Sequence, residues 1–186
     1  GNVYAIGFED GFKTQDLTCQ GKVAKKKTGT TVRFYPRKRY FDTPLFSGDA
    51  LAHALCSKAI LCTGLTCVFK DEPADSETEW FYDQGLNDYL NTRLNENKTI
   101  FPNAFSGEHT SDDLQVAWAV NWTEDGGANP EESYVNLIPT KLGGTHVNGF
   151  RSGMLESIRE FCKFRNLLPK GLFLAPEDIW SHVAYI

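Results

Sequence analysis

The nonapeptide LQVAWAVNW, Leu114 to Trp122, alternates without a break. Leu114, Val116, Trp118, Val120 and Trp122 fall on one side of an extended chain, with Gln115, Ala117, Ala119 and Asn121 on the other. Successive side chains of a strand point to opposite faces, so this stretch reads as a strand. It is the clearest one in the chain, and the flanking segments can be read outward from it.

Downstream, EDGGANPEE (124–132) reads as closing a hairpin, with SYVNLIPT (133–140) as the returning strand. TKLGGTHVNGFRSG (140–153) then gives strand, glycine-rich turn and helix, the order in which backbone N–H groups and a helix N-terminus cradle phosphates. Val147, Phe150, Met154, Ile158, Phe161 and Cys162 form a helical stripe. After LPKGLFL comes PEDIWSHV, a short helix with Pro176 near its start and two acids in its first turn.

Upstream lies the irregular NENKTIFPN, then GLNDYLNTRL, an amphipathic helix carrying Leu86, Tyr89, Leu90 and Leu94. LTCVFKD and TEWFYD read as two strands joined by the acidic loop EPADSE. SGDALAHALCSKAILCTG reads as a helix with Ser47 as N-cap, a stripe of Leu51, Leu55, Ala59 and Ile60, and Gly64 at its stop. TGTTVRFYP (28–36) is a β-branched strand ended by Pro36. VYAIGFEDGFKTQDLTCQG is a hairpin turning at Asp10-Gly11. Helices between runs of antiparallel strands make the chain α+β, with a second unit beginning near Asp83.

The 186 residues are 41% hydrophobic and 23% charged, in the ordinary globular range. A net charge of −5 argues against a protein whose whole surface wraps nucleic acid. Local basic runs do exist, at Lys25-Lys26-Lys27 and Arg37-Lys38-Arg39. They would suit a nucleic-acid backbone or simply be solvated loops. No apolar run is long enough to span a bilayer, and no secretory pattern opens the chain. Five cysteines without a C-x-x-C pair read as reduced thiols in a cytosolic protein, and the four histidines sit at no zinc-ligand spacing from them. The triplets Asn97-Lys98-Thr99 and Asn121-Trp122-Thr123 match a glycosylation acceptor by chance, the second lying within a strand. The opening Gly1, the single Met154 and the apolar ending VAYI read as a piece of a longer protein.

Two site candidates come from the residues themselves. Gly143-Gly144-Thr145-His146 followed by Gly149 matches neither the dinucleotide fingerprint nor the P-loop, so an anion site and a simple redirecting turn both remain open. Thr28-Gly29-Thr30-Thr31 places hydroxyls at the start of a strand. No Ser/His/Asp or Cys/His grouping assembles from sequence separation. A non-catalytic nucleotide- or nucleic-acid-binding module using the Gly143-Gly144 turn as an anion site is one reading.

The other comes from resemblance. YVNLIPTKLGGTHVNGFRSGMLESIREFCKFRNLLPKGLFLAPEDIWSHVAYI closely resembles the B subunit of bacterial type IIA topoisomerases, and REFCKFRNLLPKG with EDIW resembles the topoisomerase IV form. TGTTVRFYP, KAILCTGL and EWFYDQGLNDYL match the same subunit in the same order. The resemblance implies that residues 1–83 are the C-terminal half of a GHKL-type ATPase domain, helices on a mixed sheet. Residues 84–186 would then begin an α+β transducer domain. It further implies ATP and Mg²⁺ as cofactors of the parent subunit. Its partners would be DNA, the topoisomerase IV A subunit and, upon ATP binding, a second copy of the parent, in a cytoplasmic, nucleoid-associated protein. Thr30 matches the threonine on the floor of the adenine pocket, supported by Thr28 and Gly29. The other nucleotide ligands of the family lie outside this chain, so the piece alone is expected to be silent as an enzyme. By the same resemblance the Gly143-Gly144 turn redirects the chain, Phe150 packs the following helix on the sheet, and Arg151 faces the DNA cavity.

Overall fold

Asp10 and Gly11 both adopt positive φ (53° and 82°), the combination that a two-residue hairpin turn with the right twist requires. In a computed structural model, which describes residues 1–94, 98–124 and 129–186, this turn joins β1 (Asn2–Glu9) to β2 (Phe12–Lys22) in an antiparallel pair. The hairpin belongs to one compact unit, Gly1–Leu45; the other spans Phe46–Ile186.

Within the first unit the expected strand Thr28–Pro36 is absent. These residues are β-prone, but a strand exists only through a neighbour's hydrogen bonds, and no strand pairs with them among the described residues.

The second unit opens with α1 (Gly48–Leu61), whose Ser47 hydroxyl accepts a hydrogen bond from Ala50 N at 3.3 Å. Ala59 and Ile60 are buried as the stripe requires, whereas Leu51 is exposed. β3 (Cys67–Asp71) and β4 (Ser76–Trp80) form the expected hairpin. α2 (Leu86–Leu94) buries Tyr89, Leu90 and Leu94.

The centre of this unit is a three-stranded antiparallel sheet, in the order β5 (Phe105–Thr110), β6 (Gln115–Trp122), β9 (Val183–Tyr185). The alternation of β6 gives the sheet two different faces. On the small-residue face, Ala119 joins Ala184 and Ile186 against Leu90 and Leu94 of α2 and Ile60 of α1. On the large-residue face, Val120 joins Val183 and Tyr185 beneath Val147, Phe150 and Met154 of α3 (Thr145–Arg165), with Trp118 and Trp122 beside them. Alanines let a helix approach closely, and indoles fill the wider gap on the opposite side.

The pairing expected for β6 needs correction. Its partners are β5 and β9, not the segment 133–140. That segment folds on itself as β7 (Tyr134–Val135) and β8 (Ile138–Pro139), because Asn136 and Leu137 both take positive φ and close a tight turn. The expected loop residues 125–128 lie outside the described residues, as does Asn97 of the first glycosylation triplet. Asn121 of the second triplet is buried, donating to Phe101 O at 3.1 Å and accepting from Trp122 N at 2.8 Å.

α3 ends at Asn166, which caps it in the left-handed conformation (φ 53°). Its stripe is buried at Val147 but leaves Phe161 exposed. The short helix α4 (Pro176–Trp180) follows, and Asp178 accepts from Ala175 N at its start. The five cysteines are free thiols; Cys67 is buried and Cys19 exposed.

Candidate functional site

Thr28, Gly29 and Thr30 lie exposed in the first unit, and a Cβ built on Gly29 would meet nothing within 4 Å. Three exposed residues without a strand neighbour do not by themselves form a nucleotide pocket. Among the described residues no group of three or more His, Cys, Asp or Glu is arranged to hold a metal ion. The basic run beside them is partly committed to its own hairpin: Arg37 pairs with Glu9 and, at 3.2 Å, with Asp10, and Arg39 also pairs with Asp10.

The glycine-rich turn is filled by its own side chains. Gly143 N donates to Thr140 O at 2.8 Å, and Gly143 takes the left-handed φ of 68° that a side chain disfavours. Ser133 and Thr140 hydroxyls are 2.6 Å apart, and Thr140 Oγ1 is 3.3 Å from His146 Nε2. The His146 ring lies so close to Gly144 that a Cβ there would come within 2.9 Å of it. The chain reverses here and enters α3, with the His146 imidazole packed against the Cα of Gly144.

Beyond the turn, Phe150 sits among aromatic rings, with centroids 5.7 Å from Trp118 and 6.0 Å from both Trp180 and Tyr185. It fastens α3 to the sheet, as the resemblance implies. Arg151 Nη2 is 2.6 Å from Glu131 Oε2, and the guanidinium lies over Trp180 at 5.1 Å and Tyr185 at 5.5 Å. Its contacts are with its own sheet and α4.

A polar junction that the sequence did not signal joins α1, α2 and β7. Tyr89 donates to Glu132 Oε1 at 2.6 Å and Tyr134 donates to Glu132 Oε2 at 2.7 Å, so one carboxylate receives two phenols. The buried Ser57 of α1 places its hydroxyl 3.3 Å from Tyr134 and donates to His53 O at 2.8 Å. Burial, reinforced by the carboxylate, pushes the Tyr89 phenol far up and the Tyr134 phenol up to about 12. Tyr82, edge-on to Tyr89 and beside the Cys56 thiol, is raised to about 12, again mainly by burial. Lys58, also on α1, donates to Leu137 O in the β7–β8 turn. No spacing in the sequence marks this cluster, because its members come from three elements.

A chain with a two-faced antiparallel sheet, α3 entered through a glycine-rich turn and an α1 braced against the β7–β8 hairpin can be compared with known proteins on these features. It belongs to the DNA gyrase B family, whose model matches residues 85–186. Within that family it is similar to the B subunits of DNA topoisomerase 4 from Salmonella typhimurium and from Escherichia coli, in each case 49% identical over 186 residues. The corresponding protein of Pseudomonas aeruginosa is 47% identical over 185 residues. The whole of this chain is covered in the first two comparisons, but it spans only 30% of those relatives' length. Among solved structures, the topoisomerase IV ATP-binding domain of Francisella tularensis, in complex with a small-molecule inhibitor, matches with a TM-score of 0.78 at 36% identity. The 43K ATPase domain of Thermus thermophilus gyrase B, in complex with an aminocoumarin, matches with a TM-score of 0.83 at 25% identity. Each match covers 100% of this chain and 50% of the solved one. These likenesses place the α+β chain within the ATPase region of topoisomerase B subunits.

Proposed function

We propose that this chain is part of the ATP-dependent B subunit of a type IIA DNA topoisomerase of the topoisomerase IV kind, whose parent couples ATP binding and hydrolysis to strand passage, supercoil relaxation and decatenation. The observation carrying this reading is the 49% identity over the full 186 residues to proteins of that name. Residues 1–83 would belong to the ATPase domain and 84–186 to the transducer; the family match begins at residue 85, whereas the compact units divide between Leu45 and Phe46. Thr30, with Thr28 and Gly29, would line the adenine side of a pocket whose other ligands, those for Mg²⁺ included, come from outside this chain. The partners would be duplex DNA, the A subunit and a second copy of the parent, in the bacterial cytoplasm at the nucleoid. When bound, ATP would supply the phosphoryl-transfer free energy, and Thr30, with Thr28 and Gly29, would help to position its base. The alternative of a binding module built on Gly143-Gly144 is disfavoured by the likeness of the whole chain to topoisomerase B subunits.

The test uses the full-length B subunit mixed with its A subunit. ATP-dependent unlinking of catenated circles is expected, and Thr30→Val should raise the KM for ATP by about tenfold through a lost polar contact. ATP-independent DNA binding with no strand passage would refute the reading.

A further inference from the structure

The β1–β2 hairpin is tied at both ends to the chain that follows it. At its open end Val23 N donates to Gly1 O at 3.0 Å, and a turn closed by Lys27 N on Ala24 O at 2.9 Å sends the chain back. At its tip Arg37 spans two acids: it pairs with Glu9, and its Nη1 lies 3.2 Å from Asp10 Oδ2. Arg39 pairs with that same Asp10 oxygen. The stretch 28–36 therefore runs from one end of the hairpin to the other. Nine residues reach about 30 Å when extended, and the 8 residues of β1 span about 23 Å, so the stretch is drawn most of the way out. Thr28, Gly29 and Thr30 lie at its start. No strand pairs with it among the described residues, so its far end is held at the ion pairs and not by a ladder.

The turn itself does not require the charge on Asp10. Asp10 sits at φ 53° and Gly11 at 82°, and Asn-Gly suits such a turn as well as Asp-Gly does. The charge serves instead to seat two guanidiniums, which would repel each other without a carboxylate between them. The Asp10 side chain is 20% exposed, against 49% and 55% for Arg37 and Arg39, so this anion is the shielded centre of the network. Exposed ion pairs are weak one at a time, but here several charges share one partly buried carboxylate. We propose that Asp10 is a positioning residue: it gathers Arg37 and Arg39 at the hairpin tip, fixes the far end of 28–36 there, and so keeps Thr30 in place for the nucleotide base. The proposal rests on the topoisomerase reading above. Asp10 acts only through the stretch it anchors.

The experiment compares the full-length B subunit with its Asp10→Asn variant, which keeps the turn and removes the charge. Without nucleotide, amide hydrogen exchange over residues 28–35 should quicken by about threefold or more in the variant, while exchange within β1 and β2 stays as it was. At about 0.5 M salt, where the Debye length shrinks to about 4 Å, exchange in the wild type should move toward that of the variant. With the A subunit and catenated DNA present, the KM for ATP should rise by about threefold and kcat should stay within about twofold, the mark of weakened binding with the chemistry intact. Arg39→Gln, which leaves Asp10 with one arginine, should shift exchange and KM in the same direction. Either wild-type exchange over 28–35 or a wild-type KM in Asp10→Asn would overturn the proposal. So would a fall in kcat in step with a lowered thermal midpoint, the mark of a purely structural role. Wild-type protein that unlinks no DNA would refute the topoisomerase reading, and the proposal with it.

Discussion

The stretches Thr28–Pro36 and Leu114–Trp122 look alike on paper, both β-prone and aromatic, yet only the second becomes a strand. In the first unit Val32 and Tyr35 are exposed, and no strand pairs with their backbone among the described residues. In the second unit β6 has β5 on one edge and β9 on the other, with α2 and α3 over its faces. The difference teaches that strand propensity is realised by partners and not by pattern. Hydrogen bonds along both edges and apolar burial on both faces offset the entropy of extending the chain.

If that contrast is right, truncations in the two regions should differ most. Leu90 is 0% exposed, between α1, α2 and the small-residue face of the sheet. Leu90→Ala should cost about 2–5 kcal/mol in urea unfolding, from lost transfer energy and a residual cavity. Val32→Ala, at an exposed position, should stay within about 0.5 kcal/mol. Equal losses at the two sites would break the comparison.

A smaller effect sharpens the account of the sheet. Gly107 of β5 pairs with Trp118 of β6, and a Cβ on Gly107 would lie 2.6 Å from the indole Cζ2. Gly107→Ala should therefore destabilise the second unit by about 1–3 kcal/mol through overcrowding. Near-ultraviolet dichroism should report the displaced indole, and an unchanged spectrum and midpoint would show that Trp118 has room to move. Loss of the α1 cap in Ser47→Ala should cost about 1 kcal/mol, read as a lowered thermal midpoint.

The least effect at neutral pH comes from the phenols of the junction. Tyr82 and Tyr134 are raised from 10.0 to about 12, so folding favours their protonated form. Their contribution is complete below pH 10 and is lost as pH rises through about 12. Stability should be flat from about pH 7 to 9 in this respect and fall above about pH 10. Tyr134→Phe should blunt that fall, and an identical alkaline profile in the variant would contradict the assignment.

The sequence disclosed what short-range physics decides. The Asp10-Gly11 turn, the Ser47 cap, the β3–β4 hairpin, the buried side of α2 and the two-faced alternation of β6 could all be read directly. β5 escaped because FSGEHT carries a glycine and several polar residues on no regular period, and its glycine is there to admit Trp118. β9 escaped because so short a strand carries too little pattern. The self-closing β7–β8 hairpin was hidden by a positive φ at Leu137 that no propensity favours. As for the site, the residues of the glycine-rich turn did not disclose that the His146 ring packs against Gly144 and lies 3.3 Å from Thr140 Oγ1. Glu132 gave no signal, since a carboxylate shared by two phenols is visible only in three dimensions.

The most direct measurement is calorimetric titration of this 186-residue chain with a non-hydrolysable ATP analogue and Mg²⁺. The account holds that Thr28, Gly29 and Thr30 are one part of a nucleotide site and that the Gly143-Gly144 turn is none, so it predicts no binding heat. Stoichiometric binding, abolished by Gly144→Val in a variant that still folds, would contradict it and make the turn an anion site after all.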